Sequence, residues 1–381
     1  MSVTAASGFR AAGIHCGIKE SGAPDLALVA ADGAVPAAAV FTRNKVQAAP
    51  VRFSRSLLAG ARAAKGVVVN SGNANAATGA AGDDVARRMA ACVGEGPWLV
   101  CSTGLIGIPL PVEKVEAAAP DLCKALAGGP DAGLAAATAI MTTDTRPKQA
   151  AVTLSGITVG GMAKGAAMLH PDMATMLAVV TTDADVEADA LQASLGTAVE
   201  RTFNRLCTDG CMSTNDTVVV LASGRSGTEP TPPEFTSALT EVCAQLAEQM
   251  ASDAEGATRL VRVRVTGARS EADAVAAARS VAKSDLVRCS FYGGDPYWGR
   301  VLAELGASAV PLDPDRITIA YGDVIVCRNG APASYDPDAA HAASSAGEVI
   351  VTAHLGAGRA EAEILTCDLT HAYIDENMRT S

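Results

Sequence analysis

Aromatic side chains are scarce in this chain: Phe, Tyr and Trp together make up 3% of 381 residues. A core without them has to be built from Ala, Val, Leu and Met, with close approaches between backbones. Basic residues are outnumbered, 30 Lys and Arg against 41 Asp and Glu, for a net charge of −11. That balance argues against a general binder of nucleic acid or of anionic membrane. No apolar run reaches the length of a membrane span, and the opening "MSVTAASGFRAAG" lacks the basic-then-apolar layout of a signal peptide. A cytoplasmic protein without membrane association is therefore expected. The ten cysteines follow no framework spacing, which fits buried thiols in a reducing compartment. Histidine, the usual general base, occurs only five times: His15, His170, His341, His354 and His371. None sits in a nucleophile motif and no pair has helical metal spacing, so packing or surface roles are expected. Cys207 and Cys211 have no second pair or nearby His to complete a zinc site, and no metal is expected. There is no Walker loop. The glycine-rich "GGDPYWG" does not follow the strand-then-GxGxxG pattern of a dinucleotide site.

What is present reads as a mixed chain long enough for two domains. "LALVAA" (26–31), "AAAVFT" (37–42) and "GVVVNSG" (66–72) read as buried strands bounded by Gly, Pro, Asp or Asn. Helical periodicity covers 83–93 and 112–126, and "WLVCSTG" reads as a strand running into a tight turn at Thr103-Gly104. A helix near 133–141 leads into "TTDTRPK", then strands at 151–154 and 157–162. After the loop "AKGAAMLHPDMA" comes the strand "TMLAVVTTDA". Further on lie helices at 187–206 and after Pro232-Pro233, strands at 217–222 and 260–265, a helix at 271–284, a turn and helix in "GGDPYWGRVLAELG", and short strands. Strands and helices do not alternate regularly, so α+β is expected rather than a doubly wound sheet. The domain boundary is placed near 267, giving 1–266 and 267–381.

With histidine, metal and phosphate loops set aside, hydroxyl chemistry remains. A threonine becomes a nucleophile without histidine when it is the first residue of a new chain, because its own α-amine serves as the base. Such an amine titrates near pH 8, roughly 7.7–8.0, so part of it is free base at neutral pH. The chemistry needs a small residue before the threonine, an oxyanion hole, and a nearby cation that keeps the amine unprotonated and favours developing negative charge. The stretch "HPDMATMLAV" supplies Ala174 before Thr175, with a Pro171-Asp172 turn upstream. Lys164 and Gly165 lie in the preceding loop, and Thr103-Gly104 offers a hydroxyl and a backbone N–H at a strand end. Taken alone, an Ala-Thr pair is an ordinary strand threonine, a Lys in a glycine loop is a surface lysine, and Glu255 after a long helix is a solvated carboxylate.

The blocks taken together say more. "AKGAAMLHPDMATMLAVVTTDA", "AAAVFTRNKVQAAPV", "NSGNANAATG", "CSTGLIG", "AIMTTDTRPKQ", "CMSTNDTVVV", "ASDAEGATRLVRV", "GGDPYWGR" and "CDLTHAYIDEN" occur in one order along the whole chain. In this they resemble the ornithine acetyltransferase family, also called glutamate N-acetyltransferase, of arginine biosynthesis. The resemblance implies an αββα sandwich of two sheets between helical layers, with a smaller C-terminal α/β domain. It implies self-cleavage between Ala174 and Thr175, giving chains 1–174 and 175–381 that associate as an α2β2 heterotetramer. Thr175 is then the nucleophile that takes the acetyl group from N2-acetyl-L-ornithine and passes it to L-glutamate in a ping-pong reaction. By motif position, Thr103 and Gly104 carry over as the oxyanion hole. Thr142, Lys164, Glu255 and Asn377 carry over as substrate contacts, Glu255 facing the substrate ammonium. Ser381 accompanies Asn377, with Thr380 as its rival. No cofactor is implied, although acetyl-CoA serves some members as an alternative acetyl donor.

Some positions depart from the family pattern: Tyr297 where Asn is usual, Cys211 where an acidic residue is common, His170 at a variable position, and a tail about one residue short after Asn377. They bear on substrate preference more than on reaction class. Two other readings compete: a self-processed aminopeptidase or amidase, in which water rather than glutamate resolves the acyl-threonine, and a non-catalytic binding protein whose threonine never matures.

Overall fold

The structure is a computed structural model of the chain, and residues 2–169 and 176–378 are described. The chain divides into two compact units. Of the described residues, the first comprises 2–169, 176–204 and 211–250, and the second 205–210 and 251–378.

The first unit contains β1 (Phe9–Ile14), β2 (Leu26–Phe41), α1 (Ala49–Ala61), β3 (Ala63–Asn70), α2 (Gly79–Cys92), β4 (Trp98–Ser102), α3 (Val112–Lys124), α4 (Pro130–Ala139), β5 (Lys148–Leu154), β6 (Ile157–Lys164), β7 (Leu177–Thr182), α5 (Ala188–Arg201), β8 (Thr217–Ala222) and most of α6 (Pro232–Ala251). The two strands expected at 26–31 and 37–42 are one. "DGAVP" does not end the strand. It bends it, and the pairing with β3 shifts register between Ala30 and Val35. The first half of β2 pairs with β1 and β3, and the second half pairs with β8. One strand thus belongs to two half-sheets, β1-β2-β3-β4 and β2-β8-β7-β6-β5.

Alternation along these strands decides the layers. Ala27, Val29, Val67, Val69, Leu99 and Cys101 of the first half-sheet share one core with Met162, Leu177, Val179, Val219 and Leu221 of the second. The residues between them, Leu26, Leu28, Val68 and Val100, face outward against Met89 of α2 and Val115 and Leu122 of α3. On the other side, Gly161 of β6 lies under Val242 and Leu246 of α6. This is the expected αββα layering, its two sheets continuous through β2. Small residues permit it: a Cβ at Gly13 of β1 would fall 2.0 Å from the Ala135 carbonyl oxygen of α4.

The second unit holds β9 (Leu260–Ala268), α7 (Glu271–Ala282), α8 (Asp285–Gly293), α9 (Trp298–Ala307), β10 (Thr318–Tyr321), β11 (Val324–Arg328), β12 (Ala331–Pro332), α10 (Pro337–Ser344), β13 (Glu348–His354), β14 (Ala360–Cys367) and α11 (His371–Asn377). Its sheet runs β12-β11-β10-β13-β9-β14. A break at 266/267 would fall inside β9, which is paired on both sides, with β13 and with β14. The units therefore part at 250/251 instead. Valines 261, 263 and 265 of β9 face the core with Ala274, Ala277, Ala278 and Val281 of α7. Ser270, Ser284 and Thr370 cap α7, α8 and α11 by accepting a backbone N–H. Replacing such a cap by Ala costs about 0.5–2 kcal/mol. Helix α1 and most of α8 carry no element in the sequence reading. Among the described residues, no helix is long and apolar enough to cross a membrane.

Candidate active site

Several strands of the first unit begin or end at one place. There β3 ends at Asn70, β4 at Ser102 and β6 at Lys164, while β5 begins at Lys148, β7 at Leu177 and β8 at Thr217. Lys164 pairs with Leu177 across the ladder, and Leu177 pairs in turn with Thr217. The expected nucleophile Thr175, the cleavage partner Ala174, and His170 lie outside the described residues, as do Thr380 and Ser381. Thr175 is bonded to Met176, however, and Met176 is fully placed. Its N–H donates to Asp216 Oδ1 at 2.9 Å, and its carbonyl accepts from the Thr217 N–H at 3.1 Å.

The strand end beside Lys164 carries the Thr103 turn. Lys164 is only 4% exposed, and its Nζ donates to Thr103 Oγ1 at 3.2 Å. The Thr103 N–H is held by the Asn70 carbonyl at 3.0 Å, which locks the turn to the end of β3. Gly104 follows at φ 130°, and a Cβ there would fall 2.2 Å from the Gly72 carbonyl carbon. Only glycine fits this left-handed, crowded position. Among the described residues, no acceptor takes the Gly104 N–H. The turn can thus present a hydroxyl and a backbone donor together, the geometry an oxyanion requires.

Asp144 holds Thr142 and the Lys164 loop in place. Its oxygens accept from the Lys148 ammonium at 2.6 Å, the Gly165 N–H at 2.7 Å and the Thr142 N–H at 3.0 Å. Burial pushes the Asp144 carboxyl up. The charges of Lys164 and Lys148, with the bonds it accepts, more than reverse this and hold it at about 2. Asp216 shows the opposite balance. It is fully buried, and burial pushes it well above the usual carboxylate range against the Met176 N–H and the Lys164 charge.

In the second unit Glu255 and Asn377 meet, the Asn377 amide donating to Glu255 Oε2 at 2.7 Å. Helix α11 is seated for this by Thr370, whose hydroxyl donates to the Gly256 carbonyl at 2.6 Å. The structure therefore brings Thr103, Gly104, Thr142 and Lys164 together in one unit, and Glu255 with Asn377 in the other.

Sequence reading missed Asp144, Lys148, Asn215 and Asp216. Asn215 clamps the site, its amide donating to the carbonyls of Ala74 at 2.6 Å and Ser102 at 2.8 Å. The available signal was an Asp–Lys pair before an apolar strand in "TTDTRPK", and an acid directly before the apolar run in "STNDTVVV". The described histidines have ordinary partners: His15 and His341 meet the carbonyls of Ala23 and Gly294, His354 meets Thr266, and His371 lies edge-on to the Tyr292 ring. Cys207 is buried and Cys211 exposed. No group of three His, Cys, Asp or Glu among the described residues is placed to hold a metal.

A sequence model described as the ArgJ family matches residues 10–380. This chain belongs to the ArgJ family. The arginine biosynthesis bifunctional protein ArgJ of Thermobifida fusca is 50% identical, over 99% of both chains. The protein of that name from Mycobacterium leprae is 48% identical, over 98% of this chain and 94% of its own. A crystal structure of the ArgJ protein from Bacillus halodurans is 36% identical, with a TM-score of 0.50, over 52% of this chain and 95% of that one. The motif blocks thus led to the right family, and the chain is an enzyme of it.

Proposed function

We propose that the chain transfers an acetyl group from N2-acetyl-L-ornithine to L-glutamate, using Thr175 as an N-terminal nucleophile made by self-cleavage after Ala174. In the first stage Thr175 Oγ attacks the Ala174 carbonyl carbon. The peptide C–N bond breaks, the proton lost by Oγ passes to the nitrogen, which becomes the Thr175 amine, and an ester joins Ala174 to Thr175 Oγ. Water then hydrolyses the ester, leaving a carboxylate on Ala174 and a free hydroxyl on Thr175. In the second stage the Thr175 amine accepts the hydroxyl proton as Oγ attacks the acetyl carbonyl. Ornithine leaves with a proton on its nitrogen, and the glutamate amine takes the acetyl group from the ester.

The observation that carries this reading is the Lys164–Thr103 contact beside the first residues of β7. A cation in that position favours the neutral amine by repulsion and the oxyanion by attraction. The Thr103 hydroxyl and Gly104 N–H would hold the oxyanion, and a single donor of this kind is worth about 10²–10³ in rate. Glu255, with Asn377 bonded to it, would receive the side-chain ammonium of ornithine.

Cleavage draws support from a proportion. The solved Bacillus halodurans chain matches over 95% of its own length but only 52% of this one. Residues 175–381 would be about 54% of the chain. The cleaved chains would remain together as an α2β2 assembly. The word "bifunctional" in the relatives' names motivates an acetyl-CoA assay for a second acetyl donor.

Intact mass spectrometry of the wild type and of Thr175→Ala, with an acetylornithine-plus-glutamate assay, tests the reading. Two fragments with activity are expected from the first, and one inactive full-length chain from the second. Acetate release that glutamate does not suppress would turn the reaction into a hydrolysis.

A further inference from the structure

We propose that Asp216 is the positioning residue for the nucleophile, gripping the backbone N–H that follows Thr175; this rests on the reading of Thr175 given above. Met176 is held on both sides by the start of β8. Its N–H goes to Asp216 Oδ1 at 2.9 Å and its carbonyl to the Thr217 N–H at 3.1 Å. Asp216 is itself fixed, because its carbonyl accepts the Thr42 N–H at 2.9 Å from the end of β2. A peptide unit is planar, so a carboxyl that fixes the Met176 N–H restrains the residue bonded to it.

The residue type is the telling part. A carboxyl is a costly way to satisfy one N–H in a dry interior. Its second oxygen, Oδ2, is buried and accepts nothing among the described residues. The Thr42 and Ser213 hydroxyls lie near it. The Thr42 hydroxyl is drawn aside, donating to the Ser213 carbonyl at 2.8 Å. A buried group left half-satisfied calls for a role beyond packing. Here it stands at the root of β7, within the field of Lys164. Burial pushes this carboxyl well above the usual range. A carboxamide is its closest replacement, keeping the planar outline and the oxygen that accepts the Met176 N–H.

The experiment follows precursor cleavage by intact mass and then measures kcat and KM on the matured enzyme. Asp216→Asn is expected to cleave and turn over within about threefold of wild type. Asp216→Leu keeps the branched outline, with bulkier methyls, and removes the acceptor. It is expected to cleave slowly and, once matured, to lose kcat by about 10²-fold at unchanged KM for acetylornithine, the scale of a small misplacement of a reacting group. If the Leu chain is insoluble, Asp216→Ser, too short to hold the N–H, is read in the same way. Wild-type cleavage and kcat in the Leu or Ser chain would overturn the proposal. So would an Asn chain that loses kcat as far as Leu, or a loss confined to KM. Thr175→Ala is run in parallel. If it still turns over, the nucleophile reading fails whatever Asp216 does. If it is inactive, the Asp216 variants decide this proposal alone.

Discussion

Two sets of charges in this molecule make opposite uses of burial. In the first unit Lys148, Lys164, Asp144 and Asp216 sit at strand ends, each under 10% exposed. In the second unit Arg262 and Arg264 of β9 reach across to Glu348 of β13 and Glu363 of β14, forming a ladder in which Arg264 and Glu348 are about half exposed. The ladder is wet and screened, and pairs of its kind are worth little. The buried set cannot be relaxed by solvent. Lys164 favours the charged form of both nearby carboxyls, and they part because Lys148 and the bonds Asp144 accepts outweigh its burial, while burial prevails at Asp216. A charge placed where water cannot answer it becomes a tool for setting protonation and aim.

This contrast can be broken in three places. Lys164→Met keeps the stem and removes the charge next to Thr103, and kcat/KM is expected to fall by about 10²-fold or more. A loss of less than threefold would reduce the buried set to scaffolding. Asp144→Asn leaves Lys148 buried opposite a neutral group, and denaturant titration is expected to show a loss of about 3–5 kcal/mol at neutral pH. That difference should depend on acid. The folded pKa of Asp144 lies below its unfolded value, about 2 against 3.8. Its contribution is therefore present above about pH 4 and lost as pH falls toward 2. Over that window the gap between wild type and Asn variant should narrow by about 2 kcal/mol. The smallest effect belongs to the ladder. A double-mutant cycle on Arg264 and Glu363 is expected to give a coupling below about 1 kcal/mol that shrinks in high salt. A cycle on Asp144 and Lys148 should hardly respond to salt. Equal salt sensitivity in the two cycles would erase the distinction.

The residues of the candidate site can be named from the sequence, although what they do there is a proposal. Thr103, Gly104, Thr142 and Lys164 were named from their blocks, and the structure gathers them around the root of β7. Glu255 and Asn377 were named from blocks more than a hundred residues apart, and they are hydrogen-bonded. The groups that hold these residues in place were not legible. An Asp before an apolar strand reads as a solvated turn, and nothing local says that Asp216 is sealed beneath Met176 or that Asp144 bridges Lys148 to the Thr142 and Gly165 backbones. The bend in β2 escaped for a related reason. "DGAVP" has turn chemistry, and only pairing with β3 on one side and β8 on the other makes it a bend within one strand.

By itself, the sequence determined the family, the alternating strands that must face one another across an aromatic-poor core, and the hydroxyl and lysine positions that the proposed chemistry would use. These are matters of local pattern and of side-chain chemistry, which a linear string carries in full. Tertiary structure alone decided which carboxyls lose their water, which strand ends meet, and where the lysine charge falls. Desolvation and distance arise between segments far apart in the chain, and they come into being only when the two half-sheets close on each other.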